Sequence, residues 1–246
     1  MDRARLVGVN HARPLTRVGH KGADLVAPGN TFASFEAALG HGVDMIEFDV
    51  LRLRDGRLVL AHDFEDAAKR DGTTLASLDE GLDHFAGEAY AGVDLDVDMK
   101  LPGYECEVIE GLRARALDER ALISSQYIES LDRIGGELGG GIRRGLSVPK
   151  VRRDYTRTPL APVVYAIARW MRARLPGRAA ALMEAGRIEA VMAHWILVGP
   201  RLAPAIHAAG GQLYVWTVDD LPRIERLAAY GVDGVITNDP RLFDDL

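Results

Sequence analysis

A single cysteine, Cys106, among 246 residues excludes an internal disulfide and any site built on a cluster of thiolates. A bound metal would therefore have to sit on oxygen or nitrogen. Long apolar runs are equally scarce. The longest stretch without Asp, Glu, Lys or Arg, residues 202–218, is broken by Pro204, His207, Gly210, Gly211 and Gln212, so no transmembrane helix is expected there. Residues 1–20 hold no apolar core of the ~7 to 15 residues that a secretory signal needs. With so little cysteine, the expectation is a cytoplasmic protein. Linkers rich in Pro, Gly or Ser are missing too, and residues 1–246 are expected to form one domain. Basic residues are in the minority, 30 Lys and Arg against 36 Asp and Glu for a net charge of -6, which argues against general nucleic-acid binding.

The minority charge is concentrated. Residues 142–187 carry eleven Arg and Lys against Asp154 and Glu184, a basic island in an acidic chain. Within it, residues 158–178 mix Val163, Val164, Ile167, Trp170, Met171 and Leu175 with Arg169, Arg172, Arg174 and Arg178. Such a stretch reads as a basic amphipathic helix. It would make a peripheral contact with an anionic membrane, or pack its apolar face on the fold and leave its arginines in water.

Elsewhere short β-like runs alternate with stretches whose apolar residues recur every three or four positions. Strands are expected at 17–20, 45–50, 95–99, 121–125, 144–148, 191–194, 213–218 and 234–237, and helices at 31–41, 105–117, 129–138, 202–209 and 221–230. Eight such strands predict an α/β fold, a (β/α)8 TIM barrel. The Asp55-Gly56 pair adds a short hairpin after the second strand, returning His62 towards that strand's end.

A barrel of this kind places its active site at the C-terminal ends of the strands. Polar residues there form a set. Glu47 and Asp49 are two apart and share one face of the second strand; Asp96 and Asp98 repeat that spacing on the third. Up to four carboxylates would converge, and buried anions need a cation, either a hard divalent metal such as Mg²⁺ or Ca²⁺ or a basic side chain. Lys100, in register with Asp98, would meet a phosphate oxygen or pair with one of the acids. His20 and His62 are candidates for proton transfer near neutral pH. Trp216 would wall a substrate site or pack the barrel.

These residues stand in an order that resembles the glycerophosphodiester phosphodiesterases, metal-dependent enzymes on a TIM barrel. The resemblance rests on VGHKGA (18–23), PGNT (28–31), DMIEFDV (44–50), DGRLVLAHD (55–63), LDVDMK (95–100), VWTVDD (215–220) and DGVITNDP (233–240). It implies His20 and His62 as the acid–base pair, Glu47, Asp49 and Asp98 as ligands of one divalent metal, and Lys21, Lys100 and Trp216 at the substrate. The reaction implied is metal-dependent hydrolysis of a small glycerophosphodiester or a lysophospholipid. A lyase-type release with a cyclic phosphate, or a non-catalytic phosphodiester-binding barrel, are the alternatives. Four positions depart from the family pattern: Lys21 stands where Arg is usual, Gly29 where Glu is, Asp98 where the third ligand is Glu, and Asp219 where Asn is more common. Asp219 is expected to bring a further anion close to the substrate.

Overall fold

The computed structural model describes residues 14–70, 75–136, 138, 141–149, 161–244 and 246. Nine strands form one sheet: β1 (Thr16–Gly19), β2 (Met45–Arg52), β3 (Leu58–Val59), β4 (Asp94–Met99), β5 (Ala121–Ser125), β6 (Arg143–Val148), β7 (Ala190–His194), β8 (Gln212–Trp216) and β9 (Gly234–Thr237). Eight of them pair in parallel from β1 through β9, β8, β7, β6, β5 and β4 to β2, and the β1–β2 pairing closes the ring. The expected TIM barrel is therefore present. β3 is the expected hairpin, antiparallel to the end of β2 with Leu51 opposite Val59.

Alternation along the strands separates two cores. Val18, Met45, Leu122, Met192, Tyr214 and Ile236 point inward and fill the barrel. The alternate residues face the helices; Phe48 stacks on Phe85 with ring centroids 4.9 Å apart, and Phe35 meets Phe85 at 4.7 Å. Fully burying one such side chain contributes about 1.5–3 kcal/mol.

The helices are α1 (Phe32–Gly40), α2 (Phe64–Lys69), α3 (Leu78–Phe85), α4 (Glu105–Ala114), α5 (Ile128–Gly136), α6 (Ala161–Glu184), α7 (Leu202–Ala208) and α8 (Leu221–Ala229). Their N-caps tie down the loops that leave the strand ends. Thr31 and Ser34 form a reciprocal capping box on α1. Asp63, next to His62, accepts from the backbone N–H of Glu65 and Asp66, and Asp220 caps α8 in the same way. α2 and α3 are additions to the elements expected from periodicity. Both are short, and α3 begins with a Ser77–Glu80 capping box.

α6 is different in scale: its 24 residues span about 36 Å at ~1.5 Å per residue. Residues 158–160 of the expected basic helix lie outside the described residues, as do the side chains of Val163 and Val164. The apolar residues beyond them do not share one face, contrary to the single stripe expected. Leu175 is buried with Ala168, Ala179 and Met183, whereas Ile167 and Trp170 are exposed.

Barrel closure demands small residues where strands meet a large inward ring. A Cβ on Gly234 would lie 2.6 Å from the Tyr214 ring and 3.0 Å from the Thr16 carbonyl oxygen, whereas one on Gly40 would meet nothing within 4 Å. Gly234→Ala is expected to destabilise by about 1–3 kcal/mol through overpacking. Gly40→Ala in chemical denaturation should be neutral or stabilising; equal effects of the two would contradict this packing.

Candidate active site

Parallel register between β2 and β4 sets Glu47 beside Asp96 and Asp49 beside Asp98. All four carboxylates therefore enter the barrel within two layers. Across these layers Glu47, Asp49 and Asp98 bring one oxygen each within 4.8 Å of one another. Asp96 lies outside that group, so three of the four expected carboxylates converge. Lys100, just beyond β4, sets its ammonium 2.5 Å from Asp49 Oδ1 and 2.5 Å from Asp98 Oδ2.

Each ligand candidate is held by one oxygen. The backbone N–H of Lys21 donates to Glu47 Oε2 at 2.7 Å, from a left-handed backbone with φ of 50°. Asn30, also left-handed, donates its amide to Asp49 Oδ2 at 2.7 Å while its own oxygen accepts the Asp49 backbone N–H at 2.9 Å. Oδ1 of Asp49 and of Asp98 are buried without an aligned hydrogen-bond donor. Hard oxygen atoms of this kind, close together and open on one side, fit Mg²⁺ or Ca²⁺ and no soft metal.

Electrostatics point the same way. Burial, reinforced by Asp49, raises Glu47 well above the usual carboxylate range. Asp49 is also buried, but Lys100 and Lys21 outweigh that and hold it low. Burial pulls the Lys100 ammonium down, and Asp49 and Asp98 more than reverse it. One lysine thus does not offset the burial of the whole cluster, which suits it to a further cation.

The two histidines stand at different depths. The His20 side chain is 19% exposed and turns Nε2 towards Glu47 Oε2 at 3.8 Å. Burial, then the Lys21 charge, lowers it to about 4, so it is neutral at pH 7. His62, 51% exposed, stands at the rim with Nδ1 3.1 Å from Asp63. His20, Glu47, His62, Asp98, Lys100 and Trp216 line one cleft of about 190 Å³. The Trp216 indole N–H is already engaged, donating to the Met192 carbonyl at 2.8 Å, which leaves its ring to the cleft.

Lys21 and Asp49 do not line that cleft. Asp49 lies beneath it, and the Lys21 ammonium is drawn to Asp24 Oδ2 at 3.4 Å. Asp24 also accepts the Gly29 N–H through Oδ1 at 2.8 Å, and a Cβ on Gly29 would fall 2.5 Å from that oxygen. The carboxylate missing from position 29 is thus supplied from position 24. Asp219, expected to bring a further anion close to the substrate, accepts hydrogen bonds from Asn238 and Thr237. Asp24, Asn30 and Asn238 escaped the sequence reading; the PGNT and TNDP stretches flagged the last two without giving them roles.

A (β/α)8 barrel that gathers two histidines, a lysine and a carboxylate cluster at the C-terminal ends of its strands holds reactive side chains where enzymes of this fold carry their chemistry. The sequence pattern of the Glycerophosphoryl diester phosphodiesterase family matches residues 20–99 and 108–242, and the chain belongs to that family. It is 26% identical to a glycerophosphodiester phosphodiesterase of Caldanaerobacter subterraneus subsp. tengcongensis over 93% of this chain and 96% of that protein. Among solved structures, a glycerophosphodiester phosphodiesterase from Parabacteroides distasonis shares the fold at a TM-score of 0.71 and 16% identity, covering 94% of this chain and 95% of that one. An Oleispira antarctica phosphodiesterase in complex with the product sn-glycerol-3-phosphate gives a TM-score of 0.66 at 20% identity, covering 94% and 96%. The chain is a phosphoric diester hydrolase of glycerophosphodiesters.

Asp96 carries a test of the cluster's electrostatics. Burial, then Asp98, raises it from 3.8 to about 8. Below the unfolded value its contribution to stability is fully present; as pH rises through the folded value that contribution is lost, because the unfolded chain releases a proton the folded one keeps. In metal-free protein, Asp96→Asn should therefore gain on the parent between pH 3.8 and about 8 and hold a constant lead above. Thermal unfolding against pH measures this, and a pH-independent difference would refute it.

Proposed function

We propose that this chain hydrolyses a glycerophosphodiester, or the headgroup ester of a lysophospholipid, in a reaction that depends on one divalent metal held by Glu47, Asp49 and Asp98. The observation carrying the proposal is the convergence of these three carboxylates at a cleft that also holds His20, His62 and Lys100. Bound there, Mg²⁺ or Ca²⁺ supplies positive charge for a non-bridging phosphate oxygen.

The protein's own side chains do the rest. Lys100, fixed by two carboxylates, presents a cation that needs no reorganisation as negative charge builds on the phosphoryl group. Lys21, steadied by Asp24 outside the cleft lining, adds positive charge behind it that acts on the substrate through space. Trp216 offers a flat wall for the organic part of the ester. One histidine accepts a proton from the attacking hydroxyl as its oxygen bonds to phosphorus. The other returns a proton to the alcohol oxygen as the second phosphorus–oxygen bond breaks. With water as nucleophile the product is a phosphomonoester; with the neighbouring glycerol hydroxyl it is a cyclic phosphate.

Hydrolysis of glycerophosphocholine by metal-loaded protein tests this directly. His20→Ala and His62→Ala are each expected to lower turnover at least ~10²-fold with metal binding intact. Near-parental rates in both would exclude the pair.

A second, finer proposal concerns where the substrate comes from. In a βα barrel the helix returns from the rim, so the first half of α6 lies on the catalytic side, and α6 packs on the turn at Trp195–Leu197 that follows β7. Exposed Ile167 and Trp170 stand there, with the Arg174 guanidinium 5.0 Å over the Trp170 ring. Arg169, Arg172 and Arg201 edge a neighbouring hollow of about 490 Å³. Apolar tips among arginines suit an anionic lipid surface, with the protein cytoplasmic and peripheral to it, at about 1 kcal/mol per arginine. Arg169→Glu with Arg172→Glu should weaken binding to phosphatidylglycerol vesicles at least about tenfold and leave turnover of soluble glycerophosphocholine unchanged. Parental protein that sediments equally with neutral vesicles would end the membrane proposal.

A further inference from the structure

His20 touches the rest of the protein through both ring nitrogens, and the two contacts are unequal. Nδ1 lies 2.5 Å from Oδ1 of Asn238, just after β9, while Nε2 faces the carboxylate cluster and the cleft. An asparagine amide can present either its oxygen or its nitrogen, and the two ends are interchangeable in shape. Here a third residue removes the choice. The Asp219 carboxylate, at the end of the segment following β8, accepts hydrogen bonds and donates none. Its Oδ2 is 2.7 Å from Asn238 Nδ2, and its Oδ1 takes the Asn238 backbone N–H at 2.8 Å and the Thr237 hydroxyl at 3.1 Å.

The Asn238 nitrogen must therefore face Asp219, and its oxygen must face His20. An oxygen acceptor at Nδ1 requires the proton on Nδ1, so the neutral ring carries its lone pair on Nε2. We infer that Asp219 and Asn238 are positioning residues that fix the tautomer of His20, leaving its Nε2 as the bare ring nitrogen. This rests on the reading of the two histidines as the acid–base pair and deepens it by naming the residues that decide which ring nitrogen can take a proton.

The step balances as follows. The nucleophile's O–H bond breaks and its proton goes to one histidine of the pair, in His20 at the bare Nε2, while its oxygen forms the new bond to phosphorus. The bond from phosphorus to the leaving alcohol breaks, and that oxygen takes a proton from the other histidine. The segments that follow β8 and β9 thus meet at one histidine just after β1. A wrong tautomer leaves geometry and binding in place and removes the acceptor, which separates this role from a merely structural one.

Nitrogen-15 NMR of histidine-labelled protein reads the tautomer without reference to activity. In the parent at neutral pH, His20 should show a protonated Nδ1 and a bare Nε2. Asp219→Asn, equal in size, lets the Asn238 amide turn over; the Nε2-protonated form should then appear. Turnover of glycerophosphocholine should fall about 10- to 100-fold in kcat with KM within about twofold. In a His20→Ala background the same substitution should cost nothing further. A parent His20 protonated on Nε2, or an Asp219→Asn variant with unchanged tautomer and unchanged kcat, would overturn the inference. Full activity in His20→Ala would instead refute the acid–base reading on which it stands, and the NMR result would show which of the two has failed.

Discussion

The ammonium of Lys100 between Asp49 and Asp98 is the contact around which the site is organised. Glu47, Asp49 and Asp96 are buried in the barrel mouth with Asp98 beside them, and desolvation favours their protonated forms. The lysine offsets part of that cost and holds Asp49 ionised, yet Glu47 remains raised. The deficit of positive charge is what makes the cluster a cation site. The same deficit explains why burial and chemistry coincide here: anions held dry and incompletely neutralised respond strongly to an arriving metal and phosphate.

A ring of neutral and acidic partners keeps this cluster in shape. Asn30 grips Asp49 by both its donor and its acceptor, and the left-handed Lys21 backbone grips Glu47. Asp24 binds Lys21 and the Gly29 N–H, and Asp219 binds Asn238, which binds His20. Each partner lies in a loop leaving a strand end, and the helix caps at Thr31, Asp63 and Asp220 anchor those loops to rigid elements. Function is thereby tied to the fold at the one edge where strands give way to helices.

Much of this was legible in the chain. Alternation in MIEFDV and LDVDMK announced parallel strands with acids on one face, and the register confirms the pairing of Asp49 with Asp98. The eight strands and the hairpin followed from patterns that act locally. What sequence could not show depended on distance in space. Asp24 takes over the missing carboxylate at Gly29 because the loop folds back on itself, and nothing local marks it. The partners of Asp219 were equally hidden, because Asn238, nineteen residues on, meets it only through the fold. In α6, the apolar positions suggested one stripe, but Leu175 packs inward with Ala168, Ala179 and Met183 while Ile167 and Trp170 point out.

The central claim is that the Glu47, Asp49 and Asp98 cluster becomes a working phosphodiester site only with a divalent cation. Phosphorus NMR of EDTA-treated protein with glycerophosphocholine, before and after Mg²⁺ or Ca²⁺ is restored, examines that claim in one experiment and identifies the product as monoester or cyclic phosphate. The account predicts an unchanged diester signal without metal and its conversion once metal is returned. Conversion at full rate in the metal-free protein, or an inert diester with folded, metal-loaded protein, would contradict it.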